Sequence, residues 1–295
     1  MLNSNVTMDY KKIIQDIDNK AYYPVYFLYG DESFFIDRIT KKIETTVLSE
    51  SEKEFNQQIL YGRDVDVPSL VNHAKRYPMM ANHMVLIVRE AQNIKAIETL
   101  QSYIEHPQES TLLVINYKYK TIDKRKTFYK VLQKKAVVFE SSKLRDYAVP
   151  GWILQYVNEH GYKVSERNSV LLAGHLGNDL SKIANELSKV FISFPAGTEI
   201  TADIIEANIG ISKDFNIFEL QDALGKKDIF KANTIISYFA ANIKENPFPM
   251  IIGFLYAFYS KLFRLHFIKS NDNKLLAATM GVPPFFVKEY QSAAR

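Results

Sequence analysis

Residues 25–36 read Val25-Tyr26-Phe27-Leu28-Tyr29-Gly30-Asp31-Glu32-Ser33-Phe34-Phe35-Ile36. The first five are β-prone and apolar, and they stop at a glycine. Beyond it, Phe35, Ile36, Ile39, Ile43 and Val47 recur at three and four residues, the period of an amphipathic helix. Asp31 or Ser33 is placed to cap that helix. The segment is therefore a strand–turn–helix unit.

Working outward, Met84-Val85-Leu86-Ile87-Val88 and Thr111-Leu112-Leu113-Val114-Ile115-Asn116 are two further apolar runs with polar borders. Runs of this kind suit a parallel sheet covered on both faces. Ala91 to His106 and Phe128 to Gln133 read as helices, and Ala136-Val137-Val138-Phe139 as a fourth inner strand. Strand and helix alternate up to about Ser142, which argues an α/β domain over residues 1–142. After that the pattern is helical. Helices are expected at Val149–His160, Ser165–Leu176 and Asp179–Val190, with a short one capped by Thr201; together they form a small domain over 143–211. Residues 212–295 give more helices, at Phe218–Leu224, Ile229–Ile243, Met250 to about Lys269, Lys274–Met280 and from Phe285 on. The apolar stretch Met250–Phe267 contains Lys261 and Arg264, is too short to cross a bilayer, and reads as a buried helix. The helical pattern runs to the last residue, so a further C-terminal piece is expected.

Composition narrows the chemistry. There are 295 residues, 47% of them hydrophobic, with 37 Lys and Arg against 33 Asp and Glu, a net charge of +4. That permits contact with nucleic acid without demanding it. No cysteine is present, which excludes disulfides, thiolate metal sites and cysteine nucleophiles. The six histidines are scattered, without metal-ligand spacing. His73 and His83 flank an apolar segment and read as surface or satisfied core histidines; Asp64 and Asp66 read as a solvated turn. The polar N-terminus is not a signal peptide.

A strand–turn–helix at the head of an α/β domain, followed by a helical domain, suggests an ATPase module of the AAA+ type. Its phosphate loop would need several glycines, a lysine, and a Ser or Thr for magnesium. Here the turn has Gly30 alone, no lysine, and Asp31 and Glu32 where anionic phosphates would sit. The strand ending at Val88 leads into Arg89-Glu90 in place of the paired acids that hold magnesium. Gly30, Asp31, Glu32, Arg89 and Glu90 thus outline a degenerate nucleotide site, and no cofactor and no catalytic residues are expected.

The chain resembles the delta subunit of the bacterial DNA polymerase III clamp loader. The resemblance lies in Val25 to Glu32 with Phe35, in Tyr77 to Glu90, and in Thr111 to Ile115 leading to Lys124-Arg125-Lys126. It continues in Gly177-Asn178-Asp179-Leu180 through Leu187, and in Leu276 to Gln291 around Pro283-Pro284. It implies a degenerate AAA+ domain, a helical lid and a helical collar that assembles a five-subunit ring. It also implies a cytoplasmic protein of DNA replication that hydrolyses no ATP and holds a sliding clamp open at one interface. The implied partners are the clamp, the other loader subunits and primer–template DNA.

In the resembling family an exposed hydrophobic pair enters a pocket on the clamp. The matching positions are Met79-Met80, in Tyr77-Pro78-Met79-Met80, where the family usually has leucine and phenylalanine. Two thioether side chains adapt to an apolar groove at low steric cost, and Pro78 stiffens the approach. The competing reading makes both methionines core. Lys124, Arg125 and Lys126 are candidate phosphate contacts, the alternative being a solvated helix face. An active ATPase with an atypical phosphate loop and an architectural scaffold are the competing functions.

Overall fold

The computed structural model describes residues 9–268, 272–282 and 284–294, so Pro283 and the first eight residues lie outside the described residues. The chain divides into two compact units, Met1–Leu144 and Arg145–Arg295.

The first unit holds one five-stranded sheet. Its elements are α1 (Tyr10–Asp18), β1 (Val25–Gly30), α2 (Ser33–Thr46), α3 (Glu50–Asn56), β2 (Gln57–Tyr61), α4 (Val67–Ala74), β3 (Met84–Arg89), α5 (Gln101–Glu105), β4 (Thr111–Lys118), α6 (Thr127–Lys135) and β5 (Val137–Glu140). The strands run in the order β2-β3-β4-β1-β5, and every pairing is parallel. The registers include Val25 beside Leu113, Tyr26 beside Val137 and Met84 beside Thr111.

Side chains on a strand alternate between its faces, and β1 divides its residues accordingly. Val25, Phe27 and Tyr29 join a core with Leu70 and Ala74 of α4, Tyr103 and Ile104 of α5, and Phe128, Tyr129 and Leu132 of α6. Tyr26 and Leu28 point the other way, onto Ile13 and Ile17 of α1 and Ile36, Ile39 and Ile43 of α2. Every residue of β1 is buried, which is why its sequence runs apolar without alternation.

The sheet departs from the sequence expectation in three places. β2 was not anticipated: it is a half-buried edge strand that opens on two glutamines. β5 is not an inner strand, because it pairs only with β1 and forms the opposite edge. Ala91–His106 is not one helix but 3-10 turns at Ala91–Asn93 and Ile97–Leu100 followed by α5. Ala96 between them takes a left-handed φ of 52°, which a continuous α-helix cannot contain.

The second unit is helical: α7 (Val149–Glu159), α8 (Glu166–Leu176), α9 (Leu180–Ser193), α10 (Ala202–Ile209), α11 (Ile217–Gly225), α12 (Ile229–Ala241), α13 (Phe248–Leu265), α14 (Asn273–Met280) and α15 (Val287–Ala293). A two-residue parallel pair, β6 (Lys163–Val164) and β7 (Glu199–Ile200), links the flanks of α8 and α9. Side-chain caps explain where several helices begin: Ser165 accepts from Asn168, Asp179 from Lys182, Thr201 from Ile204 and Asn216 from Phe218 and Glu219. α11 and α12 share one core, with Leu220, Ala223, Ile235 and Phe239. Phe258 and Leu262 of α13 share another with Leu276, Met280, Val287 and Tyr290.

α13 is not the buried helix that its composition suggests. Only Phe258 and Leu262 are buried along it, whereas Phe248, Ile252, Tyr256, Tyr259 and Phe263 are exposed. The helix is apolar on two sides, and one of them faces away from its own core. No helix among the described residues is long and apolar enough to cross a membrane.

Candidate functional site

The turn after β1 is built so that it closes on itself. Gly30 has a φ of 128°, open to glycine at no steric cost. A Cβ built on it would overlap the carbonyl oxygen of Ser141. The neighbouring backbone is zipped to the strands on either side. Ser141 N–H donates to Tyr29 O at 2.7 Å, Glu32 N–H to Ser141 O at 3.1 Å, and Tyr119 N–H to Gly30 O at 2.9 Å.

A helix N-terminus is an anion site because its first N–H groups lack partners. At α2 that position is filled from within. Glu32 is the N-cap, correcting the assignment to Asp31 or Ser33, and its carboxylate accepts from Phe34 N–H at 3.0 Å. Glu32 is 5% exposed. A phosphate placed here would meet a buried carboxylate.

The far end of β3 completes the picture. Arg89 lies 3.6 Å from Glu44 of α2, and Glu90 lies 3.6 Å from Arg63. Glu90 has a left-handed φ of 52° and is joined to Asn93 at 3.4 Å. Gly30, Glu32, Arg89 and Glu90 are thus engaged in a cap, ion pairs and backbone turns of the fold, while Asp31 is exposed. No cluster of metal-ligating side chains occurs among the described residues.

The second candidate region is the loop between α4 and β3. Its base is held firmly. Asp66 caps α4 by accepting from Ser69 N–H at 2.9 Å, and these bonds hold its carboxyl below the usual range. Tyr103 Oη donates to Ala74 O at 3.2 Å. Met84 N–H bonds Ser110 O at 2.8 Å where β3 begins.

Between these anchors the side chains turn outward. Tyr77 is 76% exposed, Met79 63%, and Met80 fully exposed. The alternative of core methionines therefore does not hold. Met80 also takes a left-handed φ of 53°, a conformation that costs a non-glycine residue about 1 kcal/mol or more. One side chain fixes the backbone there. Asn56, at the end of α3 and 1% exposed, accepts from Met79 N–H at 2.6 Å and donates to Met79 O at 2.9 Å. Its second amide hydrogen goes to Glu52 O at 3.0 Å.

Sequence reading missed Asn56, whose partner is backbone twenty-three residues away. The one available signal was Ser49 with Glu52, the spacing that opens a short helix. His73 and His83 are half-buried, and neither Nδ1 finds a hydrogen-bond partner among the described residues. His83 instead packs edge-on against Tyr22, with ring centroids 5.4 Å apart.

The basic run after β4 is paired throughout. Lys124 meets Glu140 at 2.6 Å, Arg125 meets Asp123 at 3.0 Å, and Lys126 meets Glu98 at 2.9 Å. Lys118 meets Asp37 at 2.5 Å, and Lys120 donates to Gln92 O at 3.1 Å. Each acid partner offsets charge that a phosphate would seek.

Comparison with known proteins follows these features. Residues 26–142 match the family model described as DNA polymerase III, delta subunit. The DNA polymerase III subunit delta of Bacillus subtilis (strain 168) is 26% identical over 293 residues, covering 92% of this chain and 82% of that protein. In fold, the chain is similar to the Bacillus subtilis DNA clamp loader delta protein, with a TM-score of 0.60 at 22% identity over 97% of this chain and 88% of that one. The matched segment contains the closed turn, the Tyr77–Met80 loop and all of the sheet but Val25, and the similarity to the Bacillus subtilis subunit extends over both units.

Proposed function

We propose that this chain binds the sliding clamp of a replicative DNA polymerase through Tyr77, Pro78, Met79 and Met80. Binding there opens the clamp ring, or holds it open, for loading onto primed DNA. The observation that carries the proposal is the pair Met79-Met80, both exposed to solvent on a backbone fixed by a buried asparagine. Exposed thioether side chains on a fixed loop suit insertion into an apolar pocket. Pre-ordering of the loop lowers what binding must lose in conformational freedom.

The chain supplies no ATP hydrolysis of its own in this proposal. The closed Gly30–Glu32 turn, the capping carboxylate and the Arg89–Glu44 pair leave no cradle for a triphosphate and no acid positioned for magnesium. Sister subunits of the loader supply that chemistry. Residues 143–211 serve as a lid domain, and residues 212–295 as the collar through which the subunit joins its neighbours. The two-sided apolar character of α13 supports the second role. The place of action is the bacterial cytoplasm, at the replication machinery.

The test is clamp affinity. Each methionine buries enough surface for about 1.5–3 kcal/mol. Met79→Ala with Met80→Ala is therefore expected to weaken binding to the cognate clamp by at least about a hundredfold. Circular dichroism and the unfolding midpoint stay unchanged, because exposed positions carry little stability. Wild-type affinity in the double variant rules the loop out as the contact.

A further inference from the structure

We infer that Asn56 is the positioning residue of the clamp-contact loop: it sets the orientation of Met79 and Met80 without itself touching the clamp. The inference rests on the proposal that this loop binds the clamp.

Three observations lead to it. Asn56 spends almost its whole hydrogen-bonding capacity on one task. Its Oδ1 takes Met79 N–H, and its two amide hydrogens go to Met79 O and Glu52 O. Gripping both polar groups of one residue fixes position and rotation together, as a single bond cannot. The pattern also sets the amide's direction, since the reversed amide would put its NH2 against Met79 N–H.

The grip is shielded. Asn56 is 1% exposed, while the residue it holds is 63% exposed. Water therefore competes poorly for these bonds, although the side chain of Met79 stands in solvent.

The grip also sits next to strain. Met80 follows with its left-handed φ of 53°, and such conformations persist where the surroundings over-determine them. Nothing in the side chain of Met80 holds it, as it is fully exposed. The fixed point one residue earlier is what the structure offers. The position of Asn56 is equally defined. It ends α3, whose first turn is tied by Ser49 N–H and Ser49 Oγ, both donating to Glu52. Glu52 in turn lends its carbonyl to Asn56. The loop is thereby registered to a helix distant in sequence.

Asn56→Asp is the sharpest variant. It keeps shape and the acceptor for Met79 N–H but sets a carboxylate against two carbonyl oxygens. Clamp affinity is measured for the wild type, Asn56→Asp, Met79→Ala/Met80→Ala and the triple variant, with the full chain and its cognate clamp. Loss of the paired grip is expected to weaken binding about tenfold in the wild-type background. It should cost nothing further once both methionines are gone. Wild-type affinity in Asn56→Asp, beside a weakened methionine variant, overturns the inference and leaves the loop assignment standing. Equal losses in both backgrounds also overturn it, because Asn56 would then act through general stability. An unweakened methionine variant removes the loop assignment itself, and this inference with it.

Hydrogen exchange on the unmodified protein provides a test that needs no variant to fold. The amide of Met79 is expected to exchange at least about tenfold more slowly than that of Met80. Equal, fast exchange of the two overturns the inference.

Discussion

The carboxylate of Glu32 accepts the backbone N–H of Phe34 at 3.0 Å, so the start of α2 already holds an anionic group of its own chain. A helix start that has taken a carboxylate has no vacancy for a phosphate. Titration calorimetry with magnesium and ATP is expected to show no binding to the isolated chain at millimolar nucleotide. Glu32→Ala is expected to lose about 1 kcal/mol of stability with the cap, and still to bind no nucleotide, because Gly30 and Tyr29 remain zipped to Tyr119 and Ser141. Saturable heat from either protein contradicts this account.

Gly30→Ala is expected to be among the most damaging single substitutions in the first unit. The added methyl meets the Ser141 carbonyl at a φ reserved for glycine. Overpacking and backbone strain together amount to roughly 3 kcal/mol. Urea unfolding followed by circular dichroism measures it, and a loss under about 1 kcal/mol shows that the turn relaxes.

Acid is expected to loosen α3 before the sheet. The hydroxyl and backbone N–H of Ser49 hold the Glu52 carboxyl below its ordinary value of 4.5. A carboxyl with a depressed pKa in the folded state contributes stability that is fully present above its unfolded value, and loses it as pH falls through the folded one. Exchange protection of α3 amides should therefore drop as pH falls below about 4.5. Glu52→Gln should start with less protection and show no such step. A step of the same size in that variant assigns the effect to another group.

The exposed face of α13 separates assembly from stability. Tyr256→Ser with Phe263→Ser is expected to change the unfolding free energy by no more than about 0.5 kcal/mol per site, yet to weaken incorporation into the loader complex as read by size-exclusion chromatography. Undiminished assembly rules this face out as the subunit interface.

How much of this was legible depended on burial. β3 and β4 show almost unbroken burial, and their sequences announce it. β2 is an edge strand that begins Gln57-Gln58, and its apolar part is only Ile59-Leu60-Tyr61, without alternation. The two-sided apolar character of α13 was visible as composition. Sequence could not say which side had a neighbour, so a helix with an open face looked like a buried one. At the candidate site, the chemistry missing from Gly30–Glu32 was plain in the residues themselves. The positive devices were not. The cap fell to Glu32 and not to Asp31 because φ and ψ at residue 32 are extended. Asn56 meets backbone, which no residue pattern records.

The sheet order places β1 between β4 and β5, both of which follow it in the chain. Val25 finds its neighbour only when Leu113 has been made, and Tyr26 has one at Val114 and its second only at Val137. At about 5–20 residues per second of synthesis, the apolar run Val25-Tyr26-Phe27-Leu28-Tyr29 waits on the order of ten seconds beside the ribosome without a partner strand. The first strand to be made is thus the one that stays longest without a neighbour while the protein is being born.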